Sequence, residues 1–247
     1  MSEKLDRFSE VAEGYAKFRP RYPDILYTFL MSLVINHRCA WDVGTGNGQV
    51  AHALSKTFSE VIATDISASQ LRHAIRARNI NYRISQAESS GIEKNSIDLI
   101  TAAQAAHWFD LTAFAEEVSR VSVVDGILSL WGYYLLQSEP VIDALIFQLY
   151  GDILDGFWDP NRNLINRRYQ DIEFPFQEIP CPEFEIVNSY SSDDILGYLR
   201  TWSAVTKYRN ARGQDPVVFI EEPLIRAFAG RRLRCHTPVF MRTWRIH

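Results

Sequence analysis

Apolar residues recur along the chain at two different spacings, and the exchange between them outlines the fold. Phe8, Val11, Ala12, Tyr15 and Phe18 repeat at helical spacing, and Pro20 disfavours helical geometry at Arg19, so an amphipathic helix is expected to end there. A second helix opens at Tyr22-Pro23, carries Leu26, Phe29, Leu30 and Leu33 on one face, and stops at Asn36-His37. Beyond it, short apolar strands alternate with helices. The strands are Cys39–Val43, Val61–Thr64, Tyr82–Ser85, Ile97–Ala102 and Ile127–Tyr133; the helices run through Val50–Leu54, Leu71–Ile75 and Phe114–Val121. This rhythm predicts an α/β fold: a Rossmann-like, doubly wound and mostly parallel sheet with helices on both faces.

After Tyr133 the pattern loosens. An apolar helix is expected over Val141–Leu154, then a loop rich in aromatics and prolines up to Pro182, then strands at Phe184–Val187 and Pro238–Ile246 around helices near 193–205 and 216–229. The whole of 1–247 reads as one domain, with an N-terminal helical lid (1–37), a core (38–135), a cap insertion after the fifth strand (136–182) and C-terminal strands and helices (183–247).

Composition narrows the function classes. A net charge of -4 supplies no field to attract a phosphate backbone, so no nucleic-acid partner is expected. Cys39, Cys181 and Cys235 lack the paired spacing of zinc or redox motifs, so no metal is expected and the thiols read as reduced. Glu3, Lys4, Asp6 and Arg7 interrupt any N-terminal apolar run, and no apolar stretch is long enough for a bilayer, so a cytoplasmic setting without a membrane is expected.

The chemistry concentrates at strand ends. Asp42-Val43-Gly44-Thr45-Gly46-Asn47-Gly48 joins the first strand to its helix, where glycines let the backbone turn tightly and approach a ligand. A dinucleotide site usually spaces its glycines Gly-x-Gly-x-x-Gly; here the third comes one residue early. Asp42 would repel a pyrophosphate but favour the ammonium of a methionine moiety. Asp65 ends the second strand, where a carboxylate can accept both hydroxyls of a ribose, and Ala87-Glu88 follows the third strand at a place suited to an adenine edge.

These residues resemble the class I S-adenosylmethionine-dependent methyltransferases, and more narrowly the trans-aconitate methyltransferase-like and embryo-abundant-protein-like branch. Further matches are Phe8 through Pro23, Gln104-Ala105-Ala106-His107-Trp108-Phe109-Asp110, Phe157-Trp158, Phe174-Pro175-Phe176 and Tyr198 to Ser203. Val123-Val124-Asp125-Gly126 departs from the Lys-Pro-Gly-Gly of many relatives, which alters a turn only. The resemblance implies S-adenosylmethionine as cofactor, held by Asp42, Gly44, Thr45, Gly46, Asp65, Ile66, Ala87, Glu88 and Gln104, with Tyr15 and Arg19 folded over its methionine end.

The expected reaction is transfer of a methyl group to an oxygen or nitrogen of a small molecule, carboxylic acids included. His107 is the candidate general base, because its ordinary pKa suits proton transfer at neutral pH. Tyr22, Trp108, Trp131, Trp158 and Arg162 are candidate acceptor-side residues: aromatics can hold a cation and exclude water, and an acidic acceptor needs a cationic partner. Three rivals stand beside this reading. Base methylation lacks its Asn-Pro-Pro-Tyr type segment here, a nicotinamide oxidoreductase is disfavoured by Asp42 and the glycine spacing, and a non-catalytic cofactor-binding sensor or partner subunit shares every motif named.

Overall fold

Cys39–Val43 buries side chains on both of its faces, which a strand can do only inside a sheet covered by helices on both sides. The computed structural model describes residues 20–247; the first expected helix, with Tyr15 and Arg19, lies outside them. The first half of the described chain runs α1 (Asp24–Leu33), β1 (Cys39–Val43), α2 (Gln49–Leu54), β2 (Glu60–Asp65), α3 (Ala68–Arg72), β3 (Ile80–Ile84), β4 (Ile97–Ala103), α4 (Leu111–Val121) and β5 (Ser122–Tyr133). These five strands are mutually parallel, as the alternation of strand and helix requires.

The second half adds α5 (Pro140–Phe147), which continues as a π-helical stretch over Gln148–Ile153. A 3-10 turn (Pro160–Arg162), α6 (Asn163–Asn166), β6 (Gln177–Ile179), β7 (Phe184–Tyr190), α7 (Ser192–Arg200), α8 (Ser203–Arg212), α9 (Val218–Phe228) and β8 (Leu233–Arg245) follow. The described residues form one eight-stranded sheet ordered β3-β2-β1-β4-β5-β8-β6, with β7 also on β8. β8 is antiparallel to β5 through residues 239–245, while its other edge takes β7 at 233–239 and β6 at 243–245.

Strand periodicity of two sorts the core into layers. Ala40, Val61, Leu99 and Trp131 face one side with α1, α7 and α9; Trp41, Ile62, Ile100 and Trp244 face the other with Phe114 of α4. The order reverses between β1 and β4, so the loops leaving these strands diverge and open a crevice at their carboxyl ends.

Several boundaries differ from the sequence pattern. The helix expected across 193–205 is two, because Trp202 is extended (φ -69°, ψ 137°) and caps the start of α8. The apolar helix ending at Leu154 loosens into π-helical turns, which carry no apolar signature of their own. β6 sits inside the expected loop; its polar, exposed residues pair only through backbone, so periodicity does not reveal it.

Residues 167–172 are anchored by one side chain. Arg168 and Tyr169 both adopt left-handed backbone (φ 54° and 58°), unfavourable for residues with a Cβ. Arg242 on β8 holds them: Nη1 donates to the carbonyls of Tyr169, Gln170 and Ile172, while Nε and Nη2 form a fork on Glu178 and the guanidinium lies 4.9 Å from the Trp244 ring. Arg242→Leu is expected to cost on the order of 2 kcal/mol, since bonds to a charged group exceed neutral ones. Denaturant unfolding would measure the loss, and hydrogen exchange should rise first in 167–172.

Candidate active site

The crevice at the β1/β4 switch point holds a cavity of about 420 Å³, within the range of small-molecule sites. One wall is the loop after β1. Thr45 N–H donates to the Thr64 carbonyl at 2.9 Å, tying the loop to β2, and Gly48 N–H donates to Thr45 O at 2.9 Å. Gly44 sits at φ 63°, where a Cβ would stand 2.5 Å from that of Ala105; Gly48, at φ 76°, would meet the Tyr82 hydroxyl at 2.1 Å. At both positions glycine is required by backbone angle and by space.

Asp42 lies under this loop, 1% exposed. Its Oδ2 accepts from Thr45 Oγ1 at 2.5 Å and Ala51 N at 3.2 Å, and its Oδ1 from Thr101 Oγ1 at 2.9 Å. Burial pushes its pKa up to about 6 against those three bonds, and no cation pairs with it among the described residues. Asp42 therefore organises the loop first, and keeps one Oδ1 lone pair and an unbalanced charge beside the cavity.

Asp65 closes the next wall. Its Oδ2 accepts from Gly46 N at 2.9 Å and its Oδ1 from Ser67 N at 2.8 Å, while burial raises its pKa against these backbone bonds. Each oxygen retains a lone pair, so the carboxylate is aimed and still able to accept two hydroxyls. Ile66, a 37% exposed aliphatic, and Ala87 add apolar surface, and Glu88 reaches across to accept from Asp110 N at 2.8 Å. Gln104 ends β4 in the left-handed region (φ 54°); its N–H bonds Trp131 O at 2.9 Å and its Nε2 bonds Tyr133 O at 3.0 Å. Such strain in a non-glycine residue beside a cavity is held only because two bonds fix it.

The structure brings together Tyr22, Asp42, Gly44, Thr45, Gly46, Asp65, Ile66, Ala87, Glu88, Gln104 and Trp108. His107, Trp131, Trp158 and Arg162 do not line the cavity. Trp131 is fully buried in β5, edge-on to Tyr22 at 5.7 Å, and supports the wall from behind. His107 is 8% exposed, with Nδ1 3.3 Å from the Tyr169 hydroxyl; burial and the nearby Arg162 charge depress its pKa to about 3. It is thus neutral at physiological pH, and its surroundings differ from those of the base tuned near neutrality that the sequence led one to expect. Trp158 donates Nε1 to Tyr150 O at 2.9 Å beneath Arg162. Sequence reasoning missed Gln49, Gln70, Phe109 and Tyr133 on the cavity wall. Gln49 and Phe109 adjoin motifs and were within reach; Gln70 and Tyr133 are placed by α3 and β5, and no motif marks them.

A family model for the methyltransferase domain matches residues 41–130. A methyltransferase-family protein of Dictyostelium discoideum is 35% identical over 90% of this chain and 86% of its own length. The Saccharomyces cerevisiae protein CRG1, described as an S-adenosylmethionine-dependent methyltransferase, is 24% identical over 84% of this chain and 85% of its own. A solved structure described as a type II methyltransferase, from Anaeromyxobacter dehalogenans, superposes with a TM-score of 0.84 and 36% identity, covering 93% of this chain and all of that one.

The geometry gives two expectations for ligand titrations. Gly44→Ala should weaken S-adenosylmethionine binding at least about ten-fold, because the added methyl drives the loop off Ala105. An ionised Asp42 favours a cationic ligand, so affinity should rise between about pH 5 and pH 7 with proton release on binding, and Asp42→Asn should flatten that rise. Calorimetry at several pH values checks both.

Proposed function

This chain belongs to the S-adenosylmethionine-dependent methyltransferases, and we propose that within that family it methylates an oxygen or nitrogen of a small molecule, carboxylic acids being the first acceptors to try. The observation that carries the cofactor end is Asp65, whose two oxygens are each oriented by a backbone amide and each left with a lone pair over the cavity. A ribose would take those lone pairs, Ile66 and Ala87 would face an adenine with Glu88 near its edge, and Asp42 with Gly44, Thr45, Gly46 and Gln104 would surround the methionine end. Bound S-adenosylmethionine supplies an activated methyl group on a sulfonium.

The protein's own contribution is positioning and exclusion of water. Tyr22, Trp108, Phe109 and Tyr133 wall the remaining side of the cavity with aromatic surface suited to a cation. We propose the segments 1–37 and 136–182 as lid and cap, and membership of the trans-aconitate methyltransferase-like branch. An aqueous, reducing compartment such as the cytosol fits three free cysteines, and no helix among the described residues is long and apolar enough to cross a membrane.

The test is calorimetric titration with S-adenosylmethionine and its demethylated product, followed by methyl transfer to a panel of small acids, alcohols and amines. Asp65→Ala is expected to lose about 2 kcal/mol or more of cofactor affinity; unchanged affinity would remove the ribose assignment. Binding without transfer to any acceptor would favour the sensor reading.

A further inference from the structure

Arg162 is the cation that the described contacts leave without a task. Its guanidinium lies 4.2 Å from the Trp158 ring and 5.4 Å from that of Tyr150, and its Nε bonds the Tyr150 hydroxyl at 3.3 Å. Tyr150 is held in turn by Asn166 at 2.8 Å and stands on the π-helical stretch, where the looser winding displaces it from the regular helix face. The guanidinium is thereby held over aromatic rings, and among the described residues its terminal nitrogens donate to nothing and no carboxylate pairs with it. The nearby Asp159 is turned toward Lys207, 2.7 Å away.

This cation stands next to the aromatic wall of the cavity. The turn Pro160–Arg162 packs on the turn Ala106–Trp108, whose Trp108 lines the cavity, and Tyr134 follows the lining residue Tyr133 and meets Tyr150 ring to ring at 6.1 Å. His107 completes the corner. The Tyr169 hydroxyl lies 3.3 Å from His107 Nδ1, and a phenol O–H can donate to that nitrogen of a neutral imidazole. In that arrangement the ring proton resides on Nε2, and His107 serves as a donor through it.

We propose that Arg162, with His107 as a second donor, binds an anionic group on the methyl acceptor and so selects negatively charged small molecules. This rests on the methyltransferase reading and adds the charge of the substrate. Arg162 acts as a specificity residue: a rigid, stacked guanidinium loses little freedom when it pairs with a planar carboxylate or a phosphate. Tyr150 and Trp158 position it.

The test is a binding measurement on protein saturated with S-adenosylhomocysteine, following tryptophan fluorescence and heat during titration with benzoate, phenyl phosphate and the neutral benzamide. Benzoate or phenyl phosphate should bind at least ten-fold more tightly than benzamide, and the tighter of the two anions identifies carboxylate or phosphate as the recognised group. Arg162→Gln should abolish the preference and Arg162→Lys should retain part of it. His107→Gln, which keeps a distal N–H but cannot take a proton, should recover most of the anion affinity that His107→Ala loses. Equal binding of benzamide, no binding of either anion, or an unaltered preference in Arg162→Gln overturns the anion site. Equal weakness of His107→Gln and His107→Ala overturns the donor assignment. Failure of the wild-type protein to bind S-adenosylhomocysteine, read in the same calorimeter, would instead strike the underlying methyltransferase reading.

Discussion

The site is organised around a carboxylate buried at the point where the strand order reverses. Asp42 cannot shed its charge into water, so the chain supplies three donors to it: a hydroxyl from β4, a hydroxyl from the glycine loop and an amide from α2. Those bonds fasten together the strand, loop and helix that diverge at the switch point. The remaining imbalance leaves the pKa raised toward neutrality, which makes the cavity complementary to a cation. Loop shape and ligand charge preference thus come from the same buried group.

The two ends of the cavity are built differently. At the end proposed for the cofactor, adjacent parallel strands and the loops leaving them do the work: Gly46 and Ser67 amides orient Asp65, and Gln104 is fixed by the strand beside its own, β5. These contacts hang from the parallel strands and inherit their rigidity. On the side proposed for the acceptor the pieces come from distant parts of the chain. Trp108 follows β4 and Tyr133 ends β5 on the cavity wall, while behind that wall Tyr150 stands on the π-helical stretch and Arg162 arrives from the turn beyond it. A constellation of that kind can change its selectivity by loop variation while the cofactor end stays as it is.

The layer behind the cavity carries backbone strain as well, and the structure shows where it is balanced. The left-handed pair Arg168-Tyr169 places a buried phenol against His107, and Arg242 holds the pair by taking successive carbonyls while Glu178 satisfies the rest of its fork. A cationic side chain on the last strand therefore supports a hydrogen bond in the layer behind the cavity. The same layer explains the neutral state of His107, since a second positive charge beside Arg162 in a buried corner is unfavourable.

The strand and helix alternation, the parallel sheet and the loop from Asp42 to Gly48 were legible in the sequence because each is a local signal. A strand needs its own apolar residues, and a tight turn needs its own glycines. Asp65 was legible for the same reason, as an acid at a strand end. The break at Trp202, the π-helical stretch and the short β6 were not, because long-range packing and backbone pairing place them without a period of their own. The role of His107 shows the limit most clearly. Its identity and its position beside Trp108 were given by the chain, and they suited a base. Only the tertiary structure put a phenol from residue 169 on one nitrogen and a guanidinium from residue 162 nearby, and a pKa depends on what surrounds the group in space.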